Sequence, residues 1–266
     1  MATSNPAFAN SPAFNGRGAA AAIPSAVELD ELYRRPSATP DQTDRMTYED
    51  TIVKTVSLFA VLLVTAAIAW FIPALAFVGM IGGLILGLVN SFKKQPSVGL
   101  IVAYAAFQGL FVGGISAIFE SVPEWGGVVF QAVLATLVTV GIVLALFASG
   151  KVRASARATK IFLVAIIAYS VFGLINLGLM LFNAPVAGGA FGLYSMDFMG
   201  IPLGVIIGAF AVLLASYSLV LDFDFIKRGV EGGAPRKFGW QAGFGLMVTI
   251  VWLYIEFLRI FALTRE

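Results

Sequence analysis

The chain has 266 residues, of which 59% are hydrophobic and only 12% are charged, and its formal net charge is +2. A soluble domain carries roughly twice this charged fraction, and so small a net charge gives no reason to expect a nucleic-acid partner. Cysteine and histidine are both absent, which excludes disulfides, thiolate or imidazole metal sites, and any catalytic triad built on either residue. Any proton sensing near neutral pH therefore depends on carboxylates, since histidine is the usual side chain for it.

Residues 1–50 differ in composition from the rest of the chain. They are rich in Ala, Pro, Ser and Asn, and all of their acidic residues fall into two clusters: Glu28, Asp30 and Glu31, then Asp41, Asp44, Glu49 and Asp50. A segment with so little apolar surface cannot build a core, which predicts a disordered tail. It has no basic start followed by an apolar stretch, unlike a cleavable signal peptide. We divide the chain into this tail, 1–50, and a membrane domain, 51–266.

Seven apolar segments follow the tail. They cover residues 52–72, 74–92, 98–121, 126–149, 161–182, 200–224 and 241–263. As a helix, each can cross a hydrocarbon core of about 30 Å. This pattern predicts an all-α polytopic membrane protein, a bundle of seven transmembrane helices, with the first two joined at Pro73 as an antiparallel hairpin.

Basic residues are concentrated in alternate connections, which predicts the orientation. The tail and the loops after the second, fourth and sixth segments contain Arg17, Arg34, Arg35 and Arg45; Lys93 and Lys94; Lys151, Arg153, Arg157 and Lys160; and Lys227, Arg228, Arg236 and Lys237. The loops after the first, third and fifth segments contain neither Lys nor Arg. By the positive-inside rule the N-terminus is cytoplasmic and the C-terminus lies outside.

Glycines recur four residues apart within three of the segments. They are Gly79, Gly83 and Gly87, then Gly109 and Gly113, then Gly204 and Gly208. Small residues one turn apart allow helices to approach closely in lipid. The spacing predicts a compact bundle and carries no information about chemistry.

Two ionisable residues lie near the ends of the predicted segments. Lys54 is a residue or two inside the first segment, and we expect its amine to reach the aqueous surface. Glu120 lies at the outer end of the third segment. Solvation at the interface and a role in lining an outer vestibule are both open interpretations for Glu120.

Asp222 and Asp224 end the sixth segment and point to opposite faces, because two residues rotate a helix by about 200°. Asp224 has Lys227 and Arg228 one turn later, so we expect a local ion pair at the surface. Asp222 has no basic neighbour within reach on its own helix and therefore needs a partner from another helix.

Glu256 is the deepest carboxylate of the chain, well inside the seventh segment. An ionisable residue in the bilayer is a functional candidate by default. The alternative is local neutralisation by Arg259, three residues later. If Glu256 and Asp222 shared a proton, the two carboxylates would titrate as a coupled unit. Contact between them requires the seventh helix to begin late, near Gly245, or to enter at a slant.

The last two segments resemble the Bax inhibitor-1/YccA family, also called the transmembrane Bax inhibitor motif family. The resemblance is carried by VLDFDFIKRGVEGG at 220–233 and LYIEFLRIF at 253–261, with GLFVGGISAIFE at 109–120 similar to the family's third helix. It covers about residues 45–263 and places Asp222 and Glu256 on the family's two membrane aspartates. Glu replaces Asp in the seventh helix, and the loop 229–239 is extended.

This resemblance implies a pH-sensitive calcium leak of the bacterial inner membrane, with a cytoplasmic N-terminus. Asp222 and Glu256 would form the pH sensor and bind calcium transiently as the permeant ion, and Asp224, Glu120 and Arg259 are accessory candidates. We expect no cofactor and no resident metal site. The alternative is a non-transporting regulator that binds a membrane protease or stress-response partner through residues 1–50. An enzyme is not expected, because the chain lacks both a G-x-G-D motif and a P-loop.

Overall fold

The computed structural model describes residues 44–182 and 189–265. Over these residues it contains seven long helices, each long and apolar enough to cross a membrane. They are α1 (Tyr48–Phe71), α2 (Leu75–Phe92), α3 (Val98–Glu120), α4 (Val128–Ala148), α5 (Ala156–Leu181), α6 (Leu203–Glu231) and α7 (Phe238–Leu263). The predicted seven-helix bundle is confirmed. Of the predicted disordered tail, 1–50, residues 1–43 lie outside the described residues, and Tyr48, Glu49 and Asp50 belong to α1.

The ends of the bundle differ in charge. Helices α1, α3, α5 and α7 begin at the end where α2, α4 and α6 finish, and the loops here carry the basic clusters; we call this the basic end. The opposite end has two short 3-10 turns, Pro123–Trp125 and Gly192–Ser195. It also has a two-residue antiparallel pair of strands, β1 (Asp197–Phe198) and β2 (Ile201–Pro202).

Four helices, α1, α5, α6 and α7, extend beyond their predicted limits at the basic end. α1 begins at Tyr48, because the Thr47 hydroxyl accepts a hydrogen bond from the Asp50 amide at 3.1 Å and caps the first turn. α6 continues to Glu231, seven residues past Asp224. The apolar stretch stops at Asp224, but ion pairs one turn apart support the added turns.

α7 occupies the centre of the bundle. Of its most apolar stretch, 56% is buried inside the protein, against 6% for α5 at the periphery. α7 packs on α6, α4, α1 and α3, and each of the three core clusters contains α7 residues. A residue on α7 is therefore placed to contact most of the other helices.

α1 and α2 run in opposite directions and are joined by the predicted tight turn at Pro73, but they do not pack mainly against each other. Both pack mainly against α3. At Gly109 and Gly113 of α3 an added Cβ would meet the backbone of Leu62 and Ala66 on α1. The glycines of α3 thus permit the close contact with α1.

We predict that Gly113→Ala destabilises the protein by about 1 to 3 kcal/mol, because the methyl group would collide with the backbone of Ala66. Gly141→Ala on α4 is the matched control, since a Cβ there meets nothing within 4 Å. Thermal unfolding in detergent micelles measures both variants. Equal melting temperatures for the two would contradict the close α1–α3 contact.

Candidate functional site

Asp222 lies between α6 and α7 and is held by hydroxyl groups. The Thr249 hydroxyl of α7 donates to Asp222 Oδ2 at 2.7 Å, and the Ser218 hydroxyl is 3.1 Å from that of Thr249. Gly245 permits the approach, because a Cβ there would lie 3.0 Å from Asp222 Oδ1. Among the described residues no basic side chain pairs with Asp222. Its partner does come from another helix, but that partner is Thr249 and not Glu256.

Glu256 is 1% exposed and has three partners. Arg259 forms an ion pair with Oε2, so the predicted local neutralisation is present. Oε1 accepts hydrogen bonds from the Trp252 indole at 3.1 Å and from the Tyr169 hydroxyl of α5. This carboxylate therefore ties the peripheral helix α5 to the central helix α7.

Arg259 extends the same cluster toward the end opposite the basic one. Its guanidinium lies 4.1 Å from the centre of the Tyr194 ring, a cation–π distance. Tyr194 belongs to the turn Gly192–Ser195 that precedes α6. Arg259 Nε is buried and has no hydrogen-bond partner among the described residues. The cluster thus joins α5, α7 and the α5–α6 connection through one ion pair.

The structure does not bring Asp222 and Glu256 together. Asp222 faces Gly245 and Thr249, whereas Glu256 Oε2 lies 3.8 Å from the Cβ position of Gly208. The seven residues from Thr249 to Glu256 rise about 10 Å along α7. α7 begins at Phe238, so the late start that contact required does not occur.

A buried apolar layer separates the two carboxylates. It consists of Ala215 and Leu219 on α6 and Leu253 on α7, each with 0% exposure. These side chains lie between the levels of Asp222 and Glu256 along their helices. The α6–α7 interface is therefore polar at two depths and apolar between them.

Asp224 forms the predicted local pair. Its Oδ2 is 2.7 Å from Arg228 Nη2, and the Arg228 side chain is 71% exposed. Lys227 instead faces Glu231 at 3.7 Å. Asp224 thus belongs to the charged surface of α6 and lies apart from the contacts of Asp222.

Glu120 joins the end of α3 to the start of α4. Its Oε1 accepts a hydrogen bond from the Gly127 amide at 2.8 Å, directly before α4 begins at Val128. Oε2 is buried without a hydrogen-bond partner in the described part of the chain. Glu120 is therefore placed to hold the α3–α4 connection, a role that neither of its two sequence interpretations included.

Lys54 does not reach the surface as expected. It is 8% exposed, forms an ion pair with Asp50, and donates to the Arg236 carbonyl at 2.7 Å. Arg236 Nε donates to Asp50 Oδ1 at 2.9 Å. Residues 44–46 add backbone hydrogen bonds to the same loop: the Met46 amide donates to the Ala234 carbonyl, and the Asp44 carbonyl accepts from the Arg236 amide. The start of α1 is thus fastened to the α6–α7 loop.

Sequence reasoning missed several of these partners, for different reasons. Asp50 is four residues before Lys54, a helical pair, but it was assigned to the tail. Trp252 is four residues before Glu256 and could have been found from the same spacing. Nothing in the sequence singles out Tyr169 or Thr249, because their contacts depend on how separate helices pack.

The comparison with known families gives one match. Residues 5–266, nearly the whole chain, match the family described as Bax inhibitor 1 like. No curated protein matches the chain.

We predict that Glu256→Gln lowers the free energy of unfolding by about 3 to 5 kcal/mol, because it leaves the Arg259 charge buried without its partner. Glu256→Gln combined with Arg259→Gln restores part of that loss. Asp224→Asn breaks the more exposed ion pair and costs about 1 kcal/mol or less. Thermal unfolding of the three variants gives the order. A double variant less stable than Glu256→Gln would contradict the buried pair.

Proposed function

Because the chain belongs to the Bax inhibitor 1 like family, we propose that this integral membrane protein is a pH-sensitive cation leak gated by carboxylates within its bundle. The observation that carries the proposal is Asp222, a carboxylate between two membrane-spanning helices whose partners are hydroxyls. An ionisable group in this position is costly, and such groups mark ion or proton pathways. The Glu256 charge, by contrast, is already offset by Arg259.

Calcium is the proposed permeant ion. Asp222 together with the hydroxyls of Thr249 and Ser218 offers three hard oxygen ligands at one depth, and calcium takes oxygen ligands of this kind. Among the described residues no group of three or more acidic side chains forms a metal site. The oxygens at Asp222 thus suit brief contact with a passing cation.

The apolar layer supports the gating step of the proposal. Ala215, Leu219 and Leu253 close the α6–α7 interface between the carboxylates, and an apolar constriction blocks ions by excluding water. When Asp222 loses its proton, its negative charge has no basic partner. Hydration of that charge favours separation of α6 from α7, and the layer becomes wet. The leak therefore increases as the pH rises.

The role proposed for Glu256 differs from the one that a proton shared with Asp222 would imply. It is the second carboxylate along the same interface, one apolar layer beyond Asp222. A cation that passes this level must compete with Arg259 for Oε2. In this scheme Asp222 senses the proton, and the Glu256–Arg259 pair forms a second barrier.

The proposed location is the bacterial inner membrane with the N-terminus in the cytoplasm. The distribution of charge supports this orientation: the basic stretches Lys93–Lys94, Lys151–Lys160 and Lys227–Lys237 all lie at the basic end. Positive loops remain on the cytoplasmic side.

We predict that the full chain in liposomes carries calcium at a rate that increases as the pH rises, and that Asp222→Asn removes most of this increase. The measurement is dye fluorescence inside the vesicles. Asp224→Asn is the matched control, since it makes the same chemical change two residues away in a surface pair.

Two results would overturn the proposal. Flux with an unchanged pH dependence in Asp222→Asn would remove Asp222 as the sensor. A protein that carries no calcium at any pH would favour the non-transporting regulator. For that alternative, deletion of residues 1–43 would abolish capture of a protein partner.

A further inference from the structure

A groove of about 580 Å³ opens at the basic end between α1, α4 and α6. Its walls are mostly apolar or aromatic, with Ile52 of α1, Leu144 and Phe147 of α4, and Phe223 of α6 among them. The groove occupies the first turns of α1 and the last turns of α4 and α6. It therefore lies at the depth where the hydrocarbon of a bilayer meets the lipid headgroups.

Two cations line the groove, Arg153 and Lys227, and none of its lining residues is acidic. Arg153 is held in place: its Nη1 donates to the Phe147 carbonyl at 2.5 Å, and its guanidinium lies 4.5 Å from the centre of the Phe147 ring. Its remaining N–H groups stay available to a ligand. The position of this cation is thus determined by the end of α4.

Lys227 retains its full capacity to donate hydrogen bonds. Its only ion-pair partner in the described part of the chain is Glu231, at 3.7 Å, and the side chain of Glu231 is 60% exposed. An exposed pair at this distance contributes little. The Lys227 amine can therefore turn toward an anion in the groove at small cost.

An apolar wall topped by two cations matches one class of molecule in a bilayer. Neutral lipids fill the apolar part but leave both cations without an anion, whereas free phosphate satisfies the cations but not the walls. Basic pockets between transmembrane helices bind anionic lipid headgroups. The geometry points to a binding site for one anionic phospholipid, with an acyl chain between α1 and α4 and its phosphate at Arg153 and Lys227.

The site is separate from the proposed leak. None of its lining residues is Asp222, Thr249 or Glu256, so lipid binding can be tested whether or not the protein conducts. The bound lipid would join α1, α4 and α6 at the end where α1 is also fastened to the α6–α7 loop. We therefore expect it to stabilise the bundle.

The experiment is native mass spectrometry of the purified full chain in detergent, titrated with phosphatidylglycerol, phosphatidylcholine or inorganic phosphate. The proposal predicts that one phosphatidylglycerol remains bound and raises the melting temperature, and that the other two ligands do neither. Arg153→Gln with Lys227→Gln weakens retention by about tenfold or more, since each cation near a membrane surface contributes measurably to binding anionic lipid.

Two variants make the test specific. Arg157→Gln with Lys160→Gln removes two cations near the same loop that do not line the groove, and retention should stay unchanged. Ala148→Trp fills the groove and leaves both cations, so retention should fall. Equal loss in Arg157→Gln with Lys160→Gln would show that general surface charge attracts the lipid. Equal retention of phosphatidylcholine, stabilisation by phosphate alone, or normal retention in Ala148→Trp would also overturn the site.

Discussion

The packing of α7 at the centre of the bundle is the constraint on which the remaining structure depends. In a bilayer, apolar side chains gain little by leaving lipid for another helix, so close backbone approach and polar contacts must hold the helices together. α7 meets both requirements. Gly245 leaves room for the Asp222 side chain, and the Thr249 hydroxyl donates a hydrogen bond to it. Glu256 accepts a hydrogen bond from Tyr169 of α5. A second set of glycines, on α3, joins α1 and α2 to this centre.

The charged groups within the spans differ in how they are compensated, and the proposed function rests on that difference. The Lys54–Asp50 and Glu256–Arg259 pairs are buried, and removing one partner leaves a costly charge. Asp224 and Arg228 form a pair whose arginine is mostly exposed. Asp222 alone among the acidic residues between α6 and α7 relies on hydroxyls. In the proposed mechanism, proton uptake or loss at Asp222 therefore has the largest effect on the free energy of the α6–α7 interface.

The basic end brings together three features that would respond to one another. The start of α1 is fastened to the α6–α7 loop through Asp50, Lys54 and Arg236. The groove proposed to bind lipid lies between that same start of α1 and the ends of α4 and α6. In the proposed gating step, separation of α6 from α7 near Asp222 would disturb the contacts of Asp50, Lys54 and Arg236 and change the width of the groove. Lipid composition thus becomes a natural variable in any flux measurement.

The sequence by itself determined the number of helices, their approximate limits and the surface pair at Asp224. These depend on local quantities: the length of apolar runs, charge between them, and spacing along one helix. Its motifs also indicated the family, which the match over residues 5–266 confirms. The predicted helix limits were wrong where a polar cap or ion pairs extended a helix beyond its apolar stretch, as at Thr47 and Glu231.

Only the tertiary structure decided what the carboxylates contact. Asp222 and Glu256 both face the α6–α7 interface, yet α7 begins at Phe238, and its register places Thr249 rather than Glu256 opposite Asp222. Tyr169 of α5 donates a hydrogen bond to Glu256 although the two residues are far apart in the sequence. Relative register between helices depends on side-chain packing along their whole length, and no single stretch of sequence contains that information.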